Sequence, residues 1–337
     1  MNRDTAFEAD WQDLKDGIQT GRIPSPKSIM WENLIRDFRA EGAEGGPGSE
    51  QRGYNFLRAS DEDARLKLEK VWLWATFLAS AALGRAATAL WDFNLDRSSG
   101  PLMTYPKFYR ALKLVGIADD YARFCAEMGI STCSFNTAKL FYASSVFLDS
   151  VGASAPAPSV LEIGGGTGNL AVMINRRRAV RRYVIVDLPE MLLHSSRTIR
   201  RYLPDTPVAF AHRQAGAKLE LPDSGFFLVP HYLANRLPDE AFDAAINVDS
   251  FQEMSAEQVY GYLDLIFRCA RPNAVLMTFN RRKQVGTFDN NPLRYPYPPS
   301  EVLRWENDAF YHSALRVDRK DLHLLRVERI RKAEAAR

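Results

Sequence analysis

Three cysteines, Cys125, Cys133 and Cys269, stand in 337 residues, and no two of them form a C-x-x-C pair. An odd, scattered set builds neither a disulfide framework nor a four-ligand zinc site. Free thiols suit a reducing compartment, so a cytoplasmic location is expected. Long apolar runs are scarce too. The most apolar stretch, Val71 to Leu83, has 13 residues and meets Arg85 almost at once, against about 20 needed to span a bilayer. It reads as a core helix, and no membrane partner is expected. The opening MNRDTAFEADW is polar and acidic, unlike a signal peptide. Nor is there an excess of one charge: 44 basic and 41 acidic residues leave +3, which calls for no nucleic-acid partner. Basic residues do bunch in NRRRAVRRY (Asn175 to Tyr183) and at Arg197, Arg200 and Arg201. They read as solvated helix ends that offset the C-terminal dipole. No cluster of histidines and acids marks a dedicated metal site, so magnesium remains optional.

What is present falls into two textures. Residues 1–150 read as an all-helical region, interrupted by the glycine-rich loop EGAEGGPGSE (Glu41 to Glu50). Helical spacing runs through SIMWENLIRDFRA, the segment after Ser60, MTYPKFYRALKLVGIADDYARFCAEMG and NTAKLFYASSVFLDSV. This region is expected to act as a substrate cap, a homodimer surface, or both. After the connector GASAPAPS (Gly152 to Ser159), residues 151–337 alternate short apolar runs with helical patterns. VLEI, RYVIVD, FFLVP, AAINV, AVLMTF and HLLRVERI read as strands, with FFLVP preferred over VAFAH as the core strand. Ser255 and Gln258 are spaced as a capping box ahead of a helix. Such alternation predicts an α/β, Rossmann-like, doubly wound and mostly parallel sheet.

The sharpest signal is VLEIGGGTGNL, Val160 to Leu170. A first strand-to-helix turn in such a sheet is a usual ligand site. A dinucleotide fingerprint would continue Gly164 and Gly166 with a glycine where Asn169 stands; Gly168 falls one residue early. A phosphate loop would need a Gly-Lys-Ser/Thr ending, which is absent. What remains is E-x-G-x-G-x-G, Glu162, Gly164, Gly166 and Gly168, which resembles the first motif of class I S-adenosylmethionine (SAM) methyltransferases. An acid at the strand end can attract the ammonium of SAM, and bare glycines let the ribose and methionine approach the chain. Asp187, 23 residues after Gly164 at the end of the next strand, can accept ribose hydroxyls. It can equally cap the following helix.

With YVIVDLPEML, FDAAINVDSFQEMS and MTFNRRK, the glycine loop extends the resemblance to the sugar O-methyltransferase family, over roughly Val160 to Lys283. The resemblance implies SAM-dependent methylation of a small-molecule acceptor. A sugar or glycosylated hydroxyl is expected first, and an aromatic or polyketide-type product second. The cofactor contacts expected are Glu162, Gly164, Gly165, Gly166, Gly168, Asp187, Leu188, His231 and Asn247. His231, Asp249 and Glu253 are candidates for the base; Asp249 and Glu253, four apart, would share a face of a helical turn. Asn280, Arg281 and Tyr105 are candidate acceptor contacts. The Pro/Tyr-rich TYPKFYR and RYPYPPSEVLRW offer stacking surfaces, or serve only packing. An NAD-dependent oxidoreductase, a SAM-binding protein without turnover and an RNA methyltransferase are the rival readings. The last would need an N/D-P-P-Y/F tetrapeptide that AAINV does not precede.

Overall fold

The computed structural model describes residues 3–24, 111–128, 135–152, 156–281, 291–308, 310 and 323–332. The expected helices between residues 28 and 83, the loop Glu41 to Glu50, the cluster 104–110 with Tyr105, and Cys133 lie outside the described residues. The chain divides into two compact units. One comprises Met1–Gln51, Ala143–Asp308 and Asp318–Arg337, the other Arg52–Tyr142 and Ala309–Val317.

The first unit is built on an eight-stranded sheet. Its strands are β1 (Ser159–Ile163), β2 (Arg182–Asp187), β3 (Val208–Phe210), β4 (Gly225–Pro230), β5 (Phe242–Val248), β6 (Ala270–Arg281), β7 (Ser300–Asn307) and β8 (His323–Ile330). They lie in the order β3-β4-β2-β1-β5-β6-β8-β7. The six strands from β3 to β6 in that order are parallel, and β8 enters antiparallel between β6 and β7. Every residue of β1 is buried, as are five of six in β2 and β4. Strands covered on both faces need such unbroken apolar runs. The expected doubly wound architecture is therefore observed, and FFLVP is an inner strand while VAFAH supplies a three-residue edge. The strand β7 goes beyond the sequence expectation, in which SEVLRW belongs to the Pro/Tyr-rich stacking or packing segment.

Three helices follow the parallel strands: α4 (Asn169–Arg177), α5 (Pro189–Tyr202) and α6 (Ala256–Cys269). The helix α6 starts with the expected capping box between Ser255 and Gln258. The N-terminal helix α1 (Arg3–Gln19) belongs to this unit as well. It buries Phe7, Trp11, Leu14 and Ile18, a helical stripe, against α5 and β3. Arg197 lies over the Trp11 ring at 4.2 Å and Arg200 over Phe7 at 4.2 Å. Asp13 meets His212 Nε2 at 3.0 Å, and Asp10 pairs with Arg213 at 2.7 Å. The basic bunch is thus largely spent on helix packing. Arg177 donates to the hydroxyls of Ser144 and Ser145, and Arg178 to the carbonyl of Gly152, which ties α4 to the end of α3 (Phe135–Val151).

In the second unit the described part is small. Gly116, at φ 78°, breaks the expected helical run, and α2 (Ala118–Glu127) begins two residues later. Tyr121 and Phe124 pack on Phe141, and Tyr142 stacks on Phe310 at 5.1 Å.

Candidate functional site

The carboxyl ends of the parallel strands share one edge, and the candidate residues gather there in two groups. The first surrounds the turn from β1 into α4. Here Gly164, Gly166 and Gly168 all have positive φ, 73°, 56° and 80°. Their reasons differ. A Cβ on Gly164 would stand 1.9 Å from Ser250 Oγ, and one on Gly168 would stand 3.0 Å from Ser195 Cα. These two positions let chain segments close on one another. A Cβ on Gly166 would meet nothing within 4 Å, so its missing side chain serves the open space above the turn. The N–H groups of the three glycines are already committed: Gly164 donates to Val186 O, Gly166 to Asp187 Oδ2 at 2.6 Å, and Gly168 to Gly165 O. They are not left over for a pyrophosphate.

Two carboxylates flank the turn. Glu162 is buried on β1, where burial pushes its carboxyl up to about 8; the Tyr183 hydroxyl offsets this in part and Asp187 adds to it. Tyr183 is close enough to act on Glu162 electrostatically, yet neither its hydroxyl nor Glu162 Oε2 completes a well-formed hydrogen bond. Asp187, ending β2, accepts from Gly166 N and, at 2.7 Å, from Leu188 N. Burial still raises it to about 7, with Glu190 contributing. Leu188 caps α5 in an extended conformation ahead of Pro189, so the side chain of Asp187 does not cap the helix through its usual second or third N–H. Two buried carboxyls without a cationic partner form a poor resting arrangement. They suit a ligand carrying positive charge and hydroxyl donors. This meets the demand that SAM would make: an orphaned acid oxygen, a fixed acid, and a turn with room above it.

His231 follows β4 directly, and its predecessor Pro230 pairs with Asp187. Burial lowers its affinity for a proton, and its Nδ1 has no hydrogen-bond partner. Between β4 and β5 lie β2 and β1, so three strand spacings, about 14 Å, separate His231 from Asp249. The two do not meet at one proton-transfer point.

The second group lies at the ends of β5, β6 and β8. Asn247 is fully buried: its Nδ2 donates to Ile163 O at 2.9 Å and to Ser250 Oγ at 3.0 Å. Its Oδ1 accepts from Asn280 Nδ2 at 2.9 Å and from Phe251 N. Asn280 in turn accepts from Gln252 N, while Gln252 Oε1 accepts from Arg281 N at 2.8 Å. This buried network pins the strand ends together. Both amides, expected to face the cofactor and the acceptor respectively, are engaged inside the protein. The Arg281 side chain is half-buried at the end of β6.

Asp249 and Glu253 do not share a helical turn as expected. Asp249 is left-handed, at φ 60°, with its N–H on Phe279 O; only Phe251–Glu253 form a short 3-10 turn. Asp249 instead faces His323, whose Nε2 is 3.2 Å from Asp249 Oδ1. Sequence reasoning missed His323, since nothing in HLLRVERI tells that the strand runs antiparallel and starts at this edge. Phe251 is core, against Tyr262 and Tyr295. Tyr297 bonds Thr278 Oγ1 at 3.0 Å beneath Arg326, so these two tyrosines pack. No group of three metal-ligating side chains occurs among the described residues. Among them, too, no helix is long and apolar enough to cross a membrane.

Comparison with known proteins adds the following. The model of the spermine/spermidine synthase domain matches residues 141–285, under half of the chain. No curated protein matches. Among solved structures, the geranyl diphosphate C-methyltransferase of Streptomyces coelicolor A3(2) is 13% identical, over 56% of this chain and 75% of its own, at a TM-score of 0.41. The N-methyltransferase NodS of Bradyrhizobium japonicum WM9 is 12% identical, over 57% and 96%, at 0.38. The [4+2]-cyclase SpnF is 16% identical, over 68% and 98%, at 0.40.

Proposed function

We propose that this protein binds SAM at the β1–α4 turn and transfers its methyl group to a small-molecule hydroxyl, a sugar or glycosylated metabolite before an aromatic one. The observation that carries the reading is the pair of buried carboxyls without a cationic partner at this turn: Glu162, whose Oε2 would lie 3.2 Å from a Cβ on Gly165, and Asp187, which accepts from Gly166 N. Glu162 would face the ammonium, and Asp187, immobilised by two backbone N–H groups, would accept from the ribose hydroxyls. Gly164 and Gly165 shape the turn, Gly168 starts α4, and Leu188 with His231 flanks the base. When bound, SAM supplies an electrophilic methyl group on a sulfonium. The chain's task is then to align the acceptor, exclude water and accept one proton. For that proton Asp249 and Glu253, beyond β5, are better situated than His231, which sits on the nucleoside side of the sheet edge.

An NAD-dependent reading is disfavoured by the same features. A diphosphate would meet two acids and three spent glycine N–H groups. The spermine/spermidine synthase match favours a second reading, group transfer to an amine of a polyamine. Titration calorimetry with SAM and with NAD tests the first point: SAM is expected to bind and NAD not. Conversion of SAM to S-adenosylhomocysteine is then followed with sugars, glycosides, phenols and polyamines. Turnover with a polyamine alone selects the second reading, and NAD binding without SAM binding overturns both.

A further inference from the structure

The N-terminal helix α1 is fastened to the β3 edge of the sheet by contacts that the cofactor site does not explain. Its apolar stripe rests on α5 and β3, with Phe7 against the Phe210 ring at 5.8 Å and the Trp11 indole N–H donating to Leu193 O at 3.4 Å. Beside that stripe, a polar cluster closes over the short 3-10 turn Ala211–Arg213 that follows β3. The Asp13 carboxylate accepts from Arg22 at 2.7 Å, and its Oδ2 meets His212 Nε2 at 3.0 Å. Arg213 pairs with Asp10 at 2.7 Å and donates to Ala9 O at 3.1 Å. Both arginines are half exposed or more, whereas the imidazole is only 2% exposed. A carboxylate only accepts, so a neutral ring must carry its proton on Nε2. Nδ1 is then a bare acceptor, buried without a hydrogen-bond partner among the described residues.

We infer that Asp13 and His212 form an acid-sensitive latch, which holds α1 on α5 and β3 while the imidazole is neutral and loosens when the ring takes up a second proton. The added proton would sit on Nδ1, for which the described residues offer no acceptor. A buried N–H left unpaired is costly, and more so when it carries charge. Charge balance points the same way. The charged groups of the cluster are Asp10 and Asp13 on α1, Arg22 just after it, and Arg213 next to His212 in the chain. On the strand side, the ring meets the edge of Phe210. Two acids already meet two arginines, so no acid of the cluster is left to cancel an imidazolium. Burial accordingly holds the proton affinity of His212 below that of an ordinary histidine, and Asp13 offsets this only in part. A ring that protonates less readily when docked favours docking at neutral pH, and the advantage shrinks as pH falls below about 6.5. One proton shifts the docking equilibrium by at most about tenfold per pH unit. The apolar stripe therefore keeps α1 in place on average while its openings become more frequent. The latch needs no ligand and stands apart from the SAM reading.

Amide hydrogen exchange and imidazole 15N spectra of the full chain test the latch. Peptides covering α1 are followed between about pH 7.5 and about pH 5, with rates corrected for the intrinsic pH dependence of exchange. In the wild type, protection of α1 is expected to fall severalfold toward the acid end. In His212→Gln, whose amide can still donate to Asp13 but takes up no proton, protection is expected to stay level. The same variant assigns His212 among the five histidines. Its ring is expected to carry the neutral-form proton on Nε2 and to titrate with a midpoint below the ordinary value of about 6.5. The inference is overturned if wild-type protection does not change with pH, or if it falls as much in His212→Gln. It is overturned equally by a His212 midpoint at or above the ordinary value, since protonation would then tighten the contact. Should His212→Gln lose the protection of α1 already at neutral pH, the wild-type protection and the ring midpoint decide on the same terms.

Discussion

The two halves of the sheet edge treat buried polar groups in opposite ways. At the β1–α4 turn, Glu162 Oε2 and both side-chain polar atoms of Asn169 are buried without a partner, and two carboxyls are pushed toward neutrality. At the β5–β6 ends, every amide of Asn247 and Asn280 finds a partner within the protein. A scaffold consumes its hydrogen-bonding capacity, because an orphaned buried group costs roughly 1–3 kcal/mol. A binding site leaves some of it unspent, to be met by what arrives. The contrast separates buried polar residues by what they do: Asn247 is mortar, while Glu162 on the neighbouring strand keeps an orphaned oxygen that the proposed site would use as its socket.

Substitution of the glycines tests this separation most severely. Gly164→Val should cost roughly 3–5 kcal/mol, from overpacking against Ser250 together with left-handed strain, and lower the urea midpoint accordingly. Gly166→Val meets no neighbour, so only the strain of about 1–2 kcal/mol is expected, while SAM affinity should fall by about two orders of magnitude as the side chain fills the space. Equal stability losses at the two positions, or retained affinity in Gly166→Val, would erase the distinction. Next in size, Asn247→Ala strips partners from Ile163 O, Phe251 N and the Asn280 amide. About 3 kcal/mol of stability should be lost, with SAM affinity in the surviving folded protein within a few-fold of wild type. A large, selective loss of SAM binding would return Asn247 to the cofactor site, where the sequence first suggested it.

The same contrast explains what could be seen in the sequence. The sheet was legible because parallel strands buried on both faces must be short apolar runs, as VLEI, RYVIVD and FFLVP are. The glycine turn was legible because close approach leaves glycine few substitutes. What escaped notice depended on contacts far along the chain. Asn247 and Asn280 look like free polar groups at strand ends until β5 and β6 are seen side by side. Asp249 and Glu253 seem paired by a helical period that the left-handed turn at Asp249 interrupts. His323 joins the site only because β8 runs antiparallel, and SEVLRW was hidden as a strand by the prolines and tyrosines just before it. The arginine bunch misleads in a different way: its density reflects α1 and α3 packing against α5 and α4, through Arg197, Arg200, Arg177 and Arg178, rather than an exposed basic face.

The smallest effect expected is also the most specific to the socket. Glu162 and Asp187 titrate near 8 and 7 when folded, against 4.5 and 3.8 in an unconstrained chain. Between those limits the folded protein binds more protons than the unfolded one, so stability falls as pH rises. Their contribution is whole below about pH 4 and is lost as pH climbs through 7 to 8. Unliganded protein should therefore melt at a lower temperature at pH 8.5 than at pH 6. Glu162→Gln, which cannot ionise, should flatten part of that slope. A cationic ligand reverses the sign, because it favours the ionised acids: the stabilisation by saturating SAM should be larger at pH 8.5 than at pH 6. Neutral S-adenosylhomocysteine, which keeps the ammonium but lacks the sulfonium, should show a weaker trend. If melting of the wild type and of Glu162→Gln followed pH in parallel, with or without ligand, Glu162 would belong to the mortar after all.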